Sequence, residues 1–127
     1  MPQLPYSIEL HDSRLASIAK VDTTASIVLG LSPAYLHRDG KGWVQEAQIV
    51  IAAATADCFQ YELPARIADG SLKTPAGPYH NLLMLPLSQS GPVRLEIELE
   101  SGEIVRVQGG SVEVRLFGEP EFIEDVA

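Results

Sequence analysis

His11, Asp12 and Ser13 stand side by side in "YSIELHDSRLASI" (6–18), and those are the three residue types of a hydrolytic triad. Such a unit needs the base nitrogen within about 2.6–3.2 Å of the nucleophile, with the acid behind the base. Successive side chains of an extended segment point to opposite faces. Three neighbours in such a segment cannot line up as acid, base and nucleophile. The chain has no GxSxG elbow and no glycine loop placed to form an oxyanion hole. The segment therefore reads as a corner between two strands, with Asp12 or Ser13 bonding nearby backbone N–H groups. No catalytic residue is assigned, and a hydrolase would have to assemble its site by tertiary convergence.

The other candidates are sparser. "HRDG" (37–40) matches part of a kinase catalytic loop, but the chain is too short for a kinase and lacks its other motifs. His11, His37 and His80 show no HxH or HExxH spacing, so neither a metal nor a cofactor is expected from motifs. Cys58 sits beside Asp57 with no neighbouring base, which fits a half-buried structural thiol rather than a nucleophile. One feature remains. "AYLHRDGKGW" (34–43) and "GPYHN" (77–81) both read as loops, and both carry an aromatic near a histidine. Tyr35, His37, Trp43, Tyr79 and His80 are thus the candidate ligand-binding residues, because amphipathic rings on loops often serve recognition. The alternative is that the rings cap the ends of the core.

The elements that must position these residues are strands. Gly and Pro recur at short intervals, and apolar residues mostly alternate. "YSIEL" (6–10), "RLASIAKV" (14–21) and "ASIVLGL" (25–31) read as strands, with a bulge between Leu15 and Ile18, which differ in parity. "WVQEAQIVIAAA" (43–54) has features of both helix and strand. Its β-branched Ile49-Val50-Ile51 favours strand. "FQYEL" (59–63), "NLLMLPL" (81–87) and "EFIEDV" (121–126) add more. About nine short strands in one domain spanning 1–127 give an all-β antiparallel sandwich or partly closed barrel with little helix.

The clearest pattern is "PVRLEIELESGEIVRVQGGSVEVRLFG" (92–118), which reads as a three-stranded meander. A three-residue loop, Glu100-Ser101-Gly102, pairs Ile97 with Val105, Leu95 with Val107 and Glu96 with Arg106. Gly102 then takes the left-handed position of a bulged turn. Glu96, Glu98 and Glu113 fall on the wet face. Residues 93–127 hold nine Asp/Glu against three Lys/Arg, net −6 of the chain's −8. That field opposes nucleic acid and anionic membranes, and the expected partner, if there is one, is a protein with a basic surface.

Hydrophobic residues make up 46%, enough for a packed core. No apolar run nears the roughly 18 residues of a membrane span, and the start of the chain has no basic-then-apolar segment, so no signal peptide is expected. With a single cysteine, the expected setting is cytoplasmic. On "IELHDSRLASI", "SPAYLH", "GWVQEAQIVI", "ADGSL" and "GGSVEVRLFGEPEFIEDV", the chain resembles a family of short bacterial β-rich proteins of unknown function. The "HDS" start followed by strands is also similar to small immunity-type proteins of toxin systems. The resemblance implies no catalytic residue. The expectation is a non-catalytic β-domain that binds another protein through Glu96, Glu98 and Glu113, or a small ligand or carbohydrate through the five aromatic and histidine residues.

Overall fold

Alternating burial carries most of the chain into strands. The structure, a computed structural model, describes residues 6–38, 40–56 and 61–125. Ten strands occur there: β1 (Tyr6–Glu9), β2 (Arg14–Val21), β3 (Ser26–Arg38), β4 (Lys41–Ala52), β5 (Thr55–Ala56), β6 (Ala65–Thr74), β7 (Gly77–His80), β8 (Leu82–Leu85), β9 (Ser88–Leu99) and β10 (Ile104–Asp125). Two single 3₁₀ turns, Leu10–Asp12 and Asp22–Thr24, are the only helical pieces among the described residues.

Every pairing is antiparallel. The path runs β2-β6-β9-β10-β4-β3, and β3 pairs with β2 again, so six strands close on themselves. The closure is thin at β2–β6, where Arg14 meets Arg66 and Leu15 meets Ala65. β1 and β8 extend the sheet from the second half of β3. This is the all-β antiparallel architecture that the alternation predicts. Its core takes the inward parity of each strand, including Leu29, Leu31, Ile49, Ile51, Leu95, Ile97 and Val107.

The hairpin register agrees with expectation. Ile97 faces Val105, Glu96 faces Arg106 and Leu95 faces Val107. The Gly102 N–H reaches the Leu99 carbonyl at 2.8 Å, and Gly102 has φ +93°. The bulge in β2 also appears, as a register shift between Leu15 and Ser17. Residues 43–52 are strand, within β4.

Two expectations need correction. The three-stranded meander is two strands: Val105 to Leu116 all lie on β10, which runs through Gly109-Gly110 with a register shift instead of turning. Glycine there answers close approach rather than a reversal. A Cβ on Gly109 would sit 2.6 Å from the Ala52 carbonyl oxygen and against Ile51 Cγ2. The stretch "ARIADGSLKT", for which sequence patterning assigns no element, forms β6 and runs through Asp69-Gly70. Gly70 is needed because a Cβ would lie 2.6 Å from Leu10 Cδ1. The second correction is "FQYEL": Tyr61, Glu62 and Leu63 are outside any strand, while Phe59 and Gln60 lie outside the described residues, as do Cys58 and Val126.

Two glycine contrasts test this account by chemical denaturation. Gly109→Ala should cost about 1–3 kcal/mol through overpacking, and Gly110→Ala, whose Cβ would meet its nearest atom at 3.5 Å, should cost far less. Gly102→Val should cost about 1–2 kcal/mol through its left-handed backbone alone, since nothing lies within 4 Å of a Cβ there.

Candidate functional site

The corner between β1 and β2 is built from the inside out. Leu10 is fully buried and fixes the 3₁₀ turn to the core. Ser13 is 1% exposed; its hydroxyl donates to the Glu9 carbonyl (2.8 Å) and accepts from the Tyr35 N–H (2.9 Å). Asn81, between β7 and β8, closes the other side. Its carbonyl accepts from the Leu10 N–H, its N–H donates to the Gly70 carbonyl, and its side-chain Oδ1 accepts from the His11 N–H, each at 2.7 Å. Asn81 does this at φ +64°, a left-handed conformation that Asn tolerates better than most residues.

This scaffold gathers residues remote in sequence. Glu9 pairs with Tyr35 on β3 and with Leu82 on β8, and its carboxylate is only 15% exposed. One oxygen, Oε1, lies 2.8 Å from His11 Nδ1; the other, Oε2, contacts His37 Nε2. The Tyr35 ring stands edge-on to His37 with centroids 5.3 Å apart. His11 Nε2 faces Asp12 Oδ2 at 3.4 Å. Next to Asn81, His80 Nε2 contacts both Asp69 oxygens at 3.0 and 3.1 Å. That hydrogen bond, first of all, holds the Asp69 carboxyl below its ordinary range. Burial, next in size, opposes it, and the Gly70 backbone and the positive charge available to His80 and His11 reinforce it.

The sequence-level candidates are therefore split. Tyr35 and His37 belong to β3, Trp43 to β4, and Tyr79 and His80 to β7, so the loop assignment gives way to strand. Strand parity then sorts them. Trp43 pairs with the buried Leu36, packs against the core and meets Phe122 edge-on at 5.4 Å. Tyr79 pairs with the buried Leu72, packs against the core, and its hydroxyl accepts from Gln89 Nε2 at 3.0 Å. Those two rings cap the core, whereas His37 lies beside Glu9. The three glutamates alternate with buried residues as expected, but arginines answer two of them. Glu96 lies 3.2 Å from Arg94 and 3.7 Å from Arg106, and Glu113 lies 3.1 Å from Arg115. Glu98 and Glu96 line a hollow of about 150 Å³ that also touches Asp69.

The histidines, unlinked by spacing, thus converge. His11 and His37 share one carboxylate, and His80 holds Asp69 on the neighbouring segment. Glu9, Asp69 and Asn81 were not legible as site residues. The available signal was "ExH" in "IELHD", which is same-face spacing in an extended chain. No family model, no curated protein and no solved structure matches this chain. The site is consequently read from its geometry.

Ser13→Ala should destabilise by about 1–3 kcal/mol, because it takes the acceptor from a buried backbone N–H. Asp12→Ala should leave the denaturation midpoint nearly unchanged, since the corner is fixed by Ser13 and Asp12 faces His11. Asp69 gives a pH signature. Its folded-state pKa is depressed, so its stabilising interaction is present at neutral pH and fades as pH falls through that lowered value. In a carboxyl ¹³C titration, His80→Ala should move the Asp69 midpoint upward.

Proposed function

We propose that this chain is a non-catalytic cytoplasmic β-domain that binds another protein, and that it binds through the histidine–carboxylate corner and the adjoining strand β8. The observation that carries this reading is the composition of one face. Glu9 is enclosed between His11 and His37, and Leu82 and Met84 stand 42% and 45% exposed on the neighbouring strand. Leu82 is the direct cross-strand partner of Glu9, so the apolar and polar groups share a face. Among the described residues β8 ladders only with β1 and ends the sheet path. An edge strand with exposed apolar side chains beside fixed polar groups suits protein docking.

A basic partner surface is favoured by the carboxylates of Glu9, Asp12 and Asp69 and by the chain's charge of −8. The arginines beside Glu96 and Glu113 favour the corner over the glutamate face of β9 and β10. Against hydrolysis stands Ser13, whose hydroxyl both donates and accepts within the backbone. Against an aromatic ligand cleft stand the inward-facing Trp43 and Tyr79. No described helix is long and apolar enough to cross a membrane, and a single cysteine fits a reducing compartment.

The test is affinity capture from lysate of the native host at low and moderate salt. The baits are the wild-type chain, Leu82→Asp/Met84→Asp, and Glu96→Lys/Glu98→Lys/Glu113→Lys, each confirmed folded by circular dichroism. A partner should be held at low salt, weakened by added salt, lost with the β8 variant and retained by the glutamate variant. Loss with the glutamate variant and retention by the β8 variant would move the interface to β9 and β10.

A further inference from the structure

The wet face of β6, β9 and β10 sorts its charges by row. Asp69, Glu98 and Ile104 lie side by side, then Ser71, Glu96 and Arg106, then Lys73, Arg94 and Gln108. In the last row two cations stand directly opposite each other, an arrangement that weakens a strand pair. Arg94 has Glu96 at 3.2 Å, but that carboxylate also answers Arg106 at 3.7 Å. Lys73 has no ion-pair partner among the described residues. This end of the face therefore sets Lys73, Arg94 and Arg106 against Glu96 alone, although the chain as a whole carries −8.

The Lys73–Arg94–Gln108 row also borders a hollow of about 490 Å³. An irregularity in the sheet shapes it. β9 and β10 pair Val93 with Gly109 and Ser90 with Ser111, so Gly91 and Pro92 oppose Gly110 alone and the ladder bulges there. Pro75 closes in from the end of β6. A Cβ on Gly91 would lie 2.6 Å from Pro75 Cγ, so only glycine lets the two segments meet. Thr74 holds that turn, its hydroxyl accepting from the Ala76 N–H at 3.1 Å and donating to the Gly77 carbonyl at 3.2 Å. Pro75 and Pro92 thus supply fixed apolar walls beside the two cations.

We infer that this hollow binds a small-molecule phosphate monoester with an apolar body. Lys73 and Arg94 hold the phosphate, Gln108 adds a neutral donor, and the rings of Pro75 and Pro92 flank the body. Two opposed cations match a dianion, and a phosphate has oxygens enough to meet both, whereas a carboxylate's single charge would leave one cation unanswered. The guanidinium can grip it through two N–H groups at once. The volume falls within the roughly 300–1,000 Å³ of small-ligand pockets. The acidic excess of the chain does not forbid an anion here. The Debye length is about 8 Å at physiological salt, so distant carboxylates are screened while Lys73 and Arg94 act in contact. These residues lie on strands other than β1 and β8, and the site stands or falls apart from the docking surface proposed above.

The probe is phenyl phosphate, titrated into the ¹⁵N-labelled full chain at constant ionic strength and followed by amide shifts. Saturable shifts are expected at Lys73, Thr74, Arg94 and Gln108. Inorganic phosphate should bind more weakly for want of the body, and benzoate more weakly for want of a charge. Lys73→Ala and Arg94→Ala should each weaken phenyl phosphate about 10–100-fold, the loss of one charge-assisted contact. Glu96→Gln should tighten binding, because it frees Arg94 from a competing carboxylate. Lys20→Ala, which removes an exposed cation on β2, should change nothing. Lys73 and Arg94 are both exposed, so the variants keep the core; if either fails to fold, the shift map of the wild-type chain decides alone. Absence of saturation, shifts scattered away from this row, or binding unaffected by Lys73→Ala overturns the inference. Benzoate binding as tightly as phenyl phosphate overturns it too.

Discussion

The Ser13 hydroxyl is the contact on which this arrangement turns. β3 begins by pairing with β2 and ends by pairing with β1, and its register with β4 shifts between Leu31 and Ala34 as it changes partner. Proline at 33 cannot donate to a ladder, so the strand needs support from elsewhere at that point. Ser13, buried at the corner of β1 and β2, supplies it by bonding both Glu9 and Tyr35 through the backbone. The same two bonds fix where Glu9 leaves β1 and where His37 stands on β3. A side chain that looks like a nucleophile in sequence is thereby committed to structure.

Electrostatics divide the molecule into two kinds of acidic surface. On β9 and β10, glutamates alternate with arginines on the wet face, and the exposed pairs largely answer one another. Such pairs contribute little to stability, and they blunt the local field. At the corner the neighbours of the carboxylates are histidines instead of arginines. Glu9, Asp12 and Asp69 each contact at least one histidine ring. The two acidic surfaces thus differ in what stands beside the carboxylates, arginine on the sheet and histidine at the corner.

Much of the fold was legible because side-chain alternation is a local signal. The 93–108 hairpin, the bulge in β2 and the strand identity of 43–52 follow from parity and turn length. Two of the misses share a cause. Gly109-Gly110 and Asp69-Gly70 carry turn chemistry, but tertiary crowding uses those glycines to let backbone pass close to Ile51, Ala52 and Leu10. The site was less legible still. His37 and Trp43 look equivalent in a loop, and strand parity places one beside Glu9 and the other against the core. His11 meets Asn81 across a separation of 70 positions, which no local pattern encodes.

The length of β10 has a kinetic consequence. The β3–β4 and β9–β10 hairpins can form from neighbouring residues, but joining them requires Val112 to find Ile51 and Phe122 to find Trp43. Such distant pairing makes a β-protein slow to fold, because loop-closure entropy is spent before the contacts form. On the ribosome, β4 emerges well before β10 and must wait with one edge uncovered. Its Ile49 and Ile51 are fully buried in the finished domain, so they are the residues for a chaperone to shield in the interval.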